Sequence, residues 1–344
     1  MARPTLELAD AQAAATMRLE LEAASEAAGD LEGRVNEARR AIVASYVATF
    51  GGEGEPATSG PELRAFLRTA EAAIIDALQD GGESAAVLIQ RYAQRASQLG
   101  TEHAAEVVAE AGVLDAPEPR GSAGASATRA VDEARSAALR LLAPSTLLGA
   151  GFAGALAVVG AASKGVNGVR ATARTAVNAT RNEAVHEVAE RHGYGRVWVA
   201  ERDGCVHCLA YAGEVAYEGQ EFPVGLTFGD KPLKQAPQST RQGFQLKPAS
   251  TLPDPPLHPN CRCEVMPYKE TDGPTFPDAL KREARRSIAK GWRVESESEA
   301  VRLRAAESLL KRGADLPQSV QDGASRALAR GKFPTRRVPR GTAT

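Results

Sequence analysis

The sequence predicts a mainly α-helical protein: a long helical N-terminal arm, a small α+β module stapled through cysteines, and a helical, basic C-terminal region. Three observations carry this. Aromatic residues make up only 5% of the 344 residues, while alanine recurs throughout. Alanine costs little entropy in a helix but buries little area, at about 25 cal/mol per Å², so long thin helical packing is favoured over one dense core. Apolar residues recur at helical spacing over both ends of the chain. All four cysteines fall within a 59-residue stretch, as Cys205-Val-His-Cys208 and His258-Pro-Asn-Cys261-Arg-Cys263.

The elements follow in order. Residues 5–50 read as two helices, separated at Gly29-Asp30, with Leu6, Leu8, Leu19 and Leu21 before the break and Val35, Ile42 and Val43 after it. Residues 51–60 form a Gly-rich linker. Ser59-Gly-Pro61-Glu62 then reads as a helix start, with serine as cap and proline early. Leu63, Phe66, Leu67, Ile74 and Leu78 continue that helix. A further helix near 83–99 is expected to end at Gly100, with another from Thr101 to about 112. Residues 114–126 read as a second linker. On composition the chain divides into 1–126, 127–167, 168–268 and 269–344.

From Leu141 to Ser163 there are 23 residues without a charge. The length matches the roughly 20 apolar residues of a bilayer span. Alanine and glycine dominate it, however, whereas insertion is driven by Leu, Ile, Phe and Val. Two readings follow: a helix buried in protein, or a segment in transient contact with a membrane. Residues 168–192 form a charged amphipathic helix, Arg196–Glu201 alternates like a short strand, and 219–257 is mostly loop. Pro274 to Ala289 is helical, and Ser296-Glu-Ser-Glu299 reads as a capping box opening a helix to Gly313. Beyond Asp322 the chain reads as an extended, mobile tail.

Charge is polarised. Residues 1–140 carry 13 basic and 22 acidic groups, and residues 271–344 carry 16 basic and 9 acidic ones. The tail residues Arg326, Arg330, Lys332, Arg336, Arg337 and Arg340 have no acidic neighbour in sequence. They are the candidate contacts to DNA phosphate, set against the plainer reading of a solvated terminus.

Met1-Ala2-Arg3-Pro4 leads straight into acidic helix-forming sequence with no secretory signal. The default compartment is therefore a reducing cytosol, where paired cysteines read as metal ligands before disulfides. Cys205 and Cys208, two residues apart in a turn, present both sulfurs to one side at the span that a Zn–S distance of about 2.3 Å requires. Cys261 and Cys263 leave the same face of an extended chain. With His258 there are five candidate ligands for the four positions of one Zn²⁺. The set is Cys205, Cys208 and His258 with one of Cys261 or Cys263, or all four cysteines with His258 outside them; His207 faces solvent. A surplus of ligands argues for a closed, structural zinc over a catalytic one. Two disulfides, or a Cys205–His258 hydrolase pair, are the competing arrangements.

Residues 168 to 268 resemble the phage Mu protein F-like family of head morphogenesis (minor capsid) proteins. The match rests on a leading charged helix, a strand with Trp198, Asp203-Gly-Cys-Val-His-Cys208-Leu-Ala-Tyr-Ala-Gly213, a proline-rich loop, and His258-Pro259-Asn260-Cys261-Arg262-Cys263. On that resemblance Cys205, Cys208, His258, Cys261 and Cys263 take the family's cysteine and histidine positions, and Trp198, Asp203, Pro259 and Arg262 supporting ones. It implies a non-enzymatic minor capsid protein of a tailed phage, associated with the portal protein during procapsid assembly and with DNA packaging or ejection. Scaffolding and major capsid proteins are further implied partners. The place implied is the virion interior near the portal vertex, after assembly in the host cytoplasm. The alternatives are a cysteine-type capsid maturation protease and a zinc-dependent DNA-binding protein; no Ser-His-Asp arrangement is visible in the sequence.

Overall fold

A computed structural model describes residues 3–108, 115–119, 123–228, 251–258 and 260–338. The protein is mainly α-helical, 68% helix and 5% strand. Helix α1 (Leu6–Phe50) is a single 45-residue helix, so the break expected at Gly29-Asp30 is absent. Glycine costs a helix interior only about 1 kcal/mol, and Ala23, Ala27, Leu31 and Val35 carry the buried stripe straight across it. Helix α2 (Pro61–Leu78) starts with proline in its first turn, but its cap is Gly60 and no side chain caps it, in place of Ser59.

Helix α3 (Gly81–Ala105) runs through Gly100, which the sequence marked as an end. The glycine has a packing role instead: a Cβ there would lie 2.3 Å from the Arg181 carbonyl oxygen. No separate helix opens at Thr101, and residues 109–114 lie outside the described residues. Helix α4 (Ala123–Leu141) begins inside the expected second linker. Helix α5 (Pro144–Arg191) joins the uncharged segment to the charged helix behind it, and the interruption falls at Gly151 (φ 55°, ψ −134°). Its apolar part is long enough to span a membrane, and 39% of that 18-residue window is buried within the protein.

The chain packs as two units that cut across the compositional boundaries. The first comprises Met1–Arg18, Arg95–Glu118 and Asn178–Thr344, and the second Leu19–Gln94 and Pro119–Val177. Among the described residues, the regular elements of the second unit are all helices. Gly165 and Gly168 let α5 approach α4, where a Cβ would meet Ala134 and Ala130 at 3.0 and 2.7 Å. Tyr46 anchors an aromatic cluster, with ring centroids 4.8, 5.5 and 5.4 Å from Phe50, Phe66 and Phe152. Its hydroxyl donates to the Glu55 carbonyl at 2.8 Å.

The first unit holds the sheet. Strand β1 (Gly195–Val199) lies between β2 (Val215–Ala216) and β5 (Glu264–Tyr268), all antiparallel, with Val197 opposite Met266 and Val199 opposite Glu264. Every residue of β1 and β5 is buried, so neither alternates with solvent as a half-exposed strand does. A short helix α6 (Val206–Tyr211) follows β1, and β3 (Phe222–Pro223) pairs with β4 (Thr251–Leu252). Three helices close this unit: α7 (Thr275–Lys290), α8 (Glu299–Lys311) and α9 (Gln318–Arg330).

Helix α8 is capped from Ser298 without a side-chain hydrogen bond, so the expected box does not form. Glu299 instead accepts the Phe333 N–H at 2.8 Å. The tail expected to be extended is in part helix α9, and beyond it Phe333 is buried against Gly291.

Gly100→Ala is expected to lower stability by about 1–3 kcal/mol through overpacking. Gly29→Ala, with nothing within 4 Å of its new Cβ, is expected to raise stability by about 0.5–1 kcal/mol. Thermal and urea unfolding of the two variants checks both signs.

Candidate metal centre

Strand pairing brings the two cysteine clusters together. After β1 the chain turns at Asp203-Gly204 and enters α6, with Cys205 as its N-cap and Cys208 in its first turn. Strand β5, beside β1, begins one residue after Cys263. The second cluster is thereby delivered to the first across an intervening loop of which 229–250 lie outside the described residues.

His258 Nε2 lies 3.2 Å from Cys205 Sγ and 3.2 Å from Cys208 Sγ, and Cys208 Sγ lies 3.5 Å from Cys261 Sγ. Cys208, Cys261 and Cys263 are buried within an apolar cluster that includes Trp198, Tyr211, Phe222 and Val265, while Cys205 is half-buried. None of the four cysteines is in a disulfide. All five expected ligands therefore meet in one place, and the cluster can hold a metal ion.

The sulfurs differ in acidity. Cys205 is pushed down to about 4, because its thiolate accepts a hydrogen bond from Cys208 and, more weakly, from His258. Cys208 moves up, chiefly because it is the donor to Cys205. At Cys261 burial pulls upward, but hydrogen bonds from Cys208 and Cys263 hold it below the usual thiol range. Cys263 moves up, first through burial. The four sulfurs thus compete for shared protons in a largely apolar pocket, and a cation would replace those protons.

One buried donor also points to a metal. Trp198 Nε1 has no hydrogen-bond partner of normal geometry, yet it lies close enough to Cys263 to favour that residue's thiolate. A metal-bound thiolate is the acceptor such a donor needs.

Backbone clamps hold both arms. Asn178 and Asn182, on α5, each donate to the Cys263 carbonyl at 3.1 Å, and Asn182 accepts from Val265 N at 3.0 Å. Arg181, fully buried beside them, donates to the Val265 carbonyl at 2.6 Å and to Gln12 at 3.1 Å, and pairs with Glu264 at 3.3 Å. On the other arm, buried Arg302 donates to the Gly204 carbonyl at 2.7 Å and pairs with Glu297, which accepts the Val206 N–H at 2.6 Å. Arg262 joins the arms by pairing with Glu201 and Asp203, each at 2.5 Å. Asp254, four residues ahead of His258, is tied to Arg196 at 2.9 Å and His186 at 2.5 Å.

Asp203, Trp198 and Arg262 thus sit at the centre, and Pro259 lies outside the described residues. Sequence reasoning missed Asn178, Arg181, Asn182, Glu297 and Arg302. The available signal was the spacing of the first three, polar side chains at i, i+3 and i+4 among alanines and valines. Glu297 was hidden by the capping-box reading. The basic residues of the C-terminal end are not drawn into the centre. Arg326 and Arg330 are exposed on α9, Lys332 is exposed after it, and Arg336 and Arg337 pair with Glu295 at 3.0 and 3.8 Å. Arg340 lies outside the described residues.

His103 contacts the Arg181 guanidinium at 3.1 Å. Burial, and then the Arg181 charge, push it down to about 3 from 6.5. The unfolded chain therefore binds the extra proton between those values, so this histidine removes stability as pH falls from about 6.5 towards 3, by up to about 1.4 kcal/mol per pH unit. His103→Gln is expected to flatten the acid side of the stability profile, measured by urea unfolding between pH 7 and 4.

No protein-family model, curated protein or solved structure matches this chain.

Proposed function

We propose that the chain is a minor capsid (head morphogenesis) protein of a tailed phage that acts by binding rather than catalysis. The observation that carries this reading is the convergence of Cys205, Cys208, His258, Cys261 and Cys263 in one cluster, buried at Cys208, Cys261 and Cys263 and half-buried at Cys205 and His258. Those are the positions on which the likeness to the Mu protein F-like family rests. The ion is zinc in a structural role, held by Cys205, Cys208 and His258 with Cys261 or Cys263. A soft, thiolate-rich set enclosed by protein suits it.

The partner is a portal ring, met during procapsid assembly inside the host cell. The all-helical second unit supports this by exposing apolar side chains such as Leu21, Ile75 and Val87. The exposed Arg326, Arg330 and Lys332 contact packaged DNA through phosphate, and the uncharged part of α5 meets a membrane during ejection.

One observation favours a second reading, a cysteine-type maturation protease: a lowered Cys205 thiol stands 3.2 Å from His258 Nε2. Against it, the same nitrogen stands 3.2 Å from Cys208, so the imidazole faces a pair of sulfurs and not one nucleophile.

Native mass spectrometry of the reduced, full-length protein is expected to give one zinc per chain. Cys205→Ser is expected to lose metal and fold together, as circular dichroism and metal content report. A variant that keeps its fold but stops cleaving capsid protein establishes the protease instead. Co-expression with a portal protein is expected to yield a co-purifying ring complex, and consistent failure to do so removes the portal assignment.

Because Phe333 and α9 are packed into the first unit, truncating the tail would disturb the fold as well as the charge. Replacing Arg326, Arg330 and Lys332 together by alanine separates the two. The slope of log affinity for DNA against log salt is then expected to fall by about 2–3, at roughly 0.9 per lost phosphate contact.

A further inference from the structure

Cys208 belongs to two groups of donors at once. The ligand atoms of Cys205, Cys208 and His258 lie within 4.8 Å of one another, and so do those of Cys208, Cys261 and Cys263. Among the described residues the five donors thus sort into two triads with a shared sulfur. Zinc takes four donors in a tetrahedron and leaves one unused. Nothing in the structure marks the fifth as idle. Cys263 is 2% exposed, its carbonyl is held by two asparagines, and the Trp198 indole N–H faces its sulfur without another acceptor.

The geometry points to a second occupancy that uses all five donors: two soft, closed-shell monovalent ions of the copper(I) class, each held by three donors, with the Cys208 sulfur bridging them. One copper is held by Cys205, Cys208 and His258, the other by Cys208, Cys261 and Cys263. Thiolate sulfur is the ligand that selects such ions. A deprotonated thiolate has lone pairs enough to serve two metals, which a neutral imidazole has not, so the bridge falls to a cysteine. Binding both ions releases to solvent the protons that remain on the four thiols.

This inference rests on the cluster being a metal centre, but it stands apart from the choice of zinc. The full-length, zinc-loaded protein is titrated without oxygen with copper(I), supplied as its acetonitrile complex. Native mass spectrometry counts the bound metals, and X-ray absorption reads the copper environment. Two coppers per chain are expected, three-coordinate and with a copper neighbour, displacing one zinc. Cys263→Ala, which leaves only the Cys205, Cys208 and His258 triad complete, is expected to accept a single copper. Saturation of the wild type at one copper, isolated coppers without a metal neighbour, or two coppers held by Cys263→Ala overturns the bridged pair. Zinc content before titration tests the other reading separately: a chain isolated without zinc that still takes two coppers sinks the structural zinc and supports the bridged site.

Discussion

The antiparallel pairing of β1 with β5 is the contact on which the centre depends. Val197 meets Met266 and Val199 meets Glu264 across some seventy residues of chain, and only that register sets Cys263 beside the turn carrying Cys205 and Cys208. Two five-residue strands cannot offset the entropy of closing so long a loop by themselves. The buried polar groups around them act on the same register. Asn182 bonds both to Cys263 and to Val265, and Arg181 to Val265, so a slip of one residue would leave several buried donors without acceptors. Unsatisfied groups of that kind cost about 1–3 kcal/mol each, enough to make the register selective.

The same logic explains why charged residues sit so deep in an alanine-rich protein. Arg181 and Arg302 are fully buried, and neither ion pair alone is a strong source of stability, since desolvation offsets most of the attraction. Each guanidinium, however, also donates to a backbone carbonyl within two residues of a clustered cysteine. Their contribution is positional: they fix where the sulfurs stand, while apolar packing around Trp198 and Phe222 excludes water.

Much of this was legible in the residues. The helical class followed from composition and periodicity, and the five-residue cysteine and histidine cluster from spacing, because both rest on local chemistry. What sequence could not show was non-local. Gly29 and Gly100 are the same residue type in similar helical surroundings; one interrupts nothing and the other admits a neighbouring backbone, and only the packing partner distinguishes them. Gly151 carries the real interruption in α5, beneath Tyr46. The glutamates at 297 and 299 do stand at the start of α8, but their side chains serve Val206 and Phe333, far away in sequence, in place of a capping box. Strand β5 escaped notice because it is buried on both faces and five residues long, without the alternation that marks a half-exposed strand.

The order in which the first unit's pieces appear in the chain has a consequence for biosynthesis. Gln12 and Ala9 emerge from the ribosome early, yet the groups they pack with include Arg181, Met266 and Phe276, and the same unit is closed by Phe333. At about 5–20 residues per second, the nascent N-terminus waits on the order of tens of seconds for those partners. Residues 19–177, by contrast, hold every piece of the second unit and are made well before Met266, Phe276 and Phe333. The helical unit can therefore collapse while synthesis continues, and the cysteine-bearing unit must assemble after it, once Phe333 has emerged.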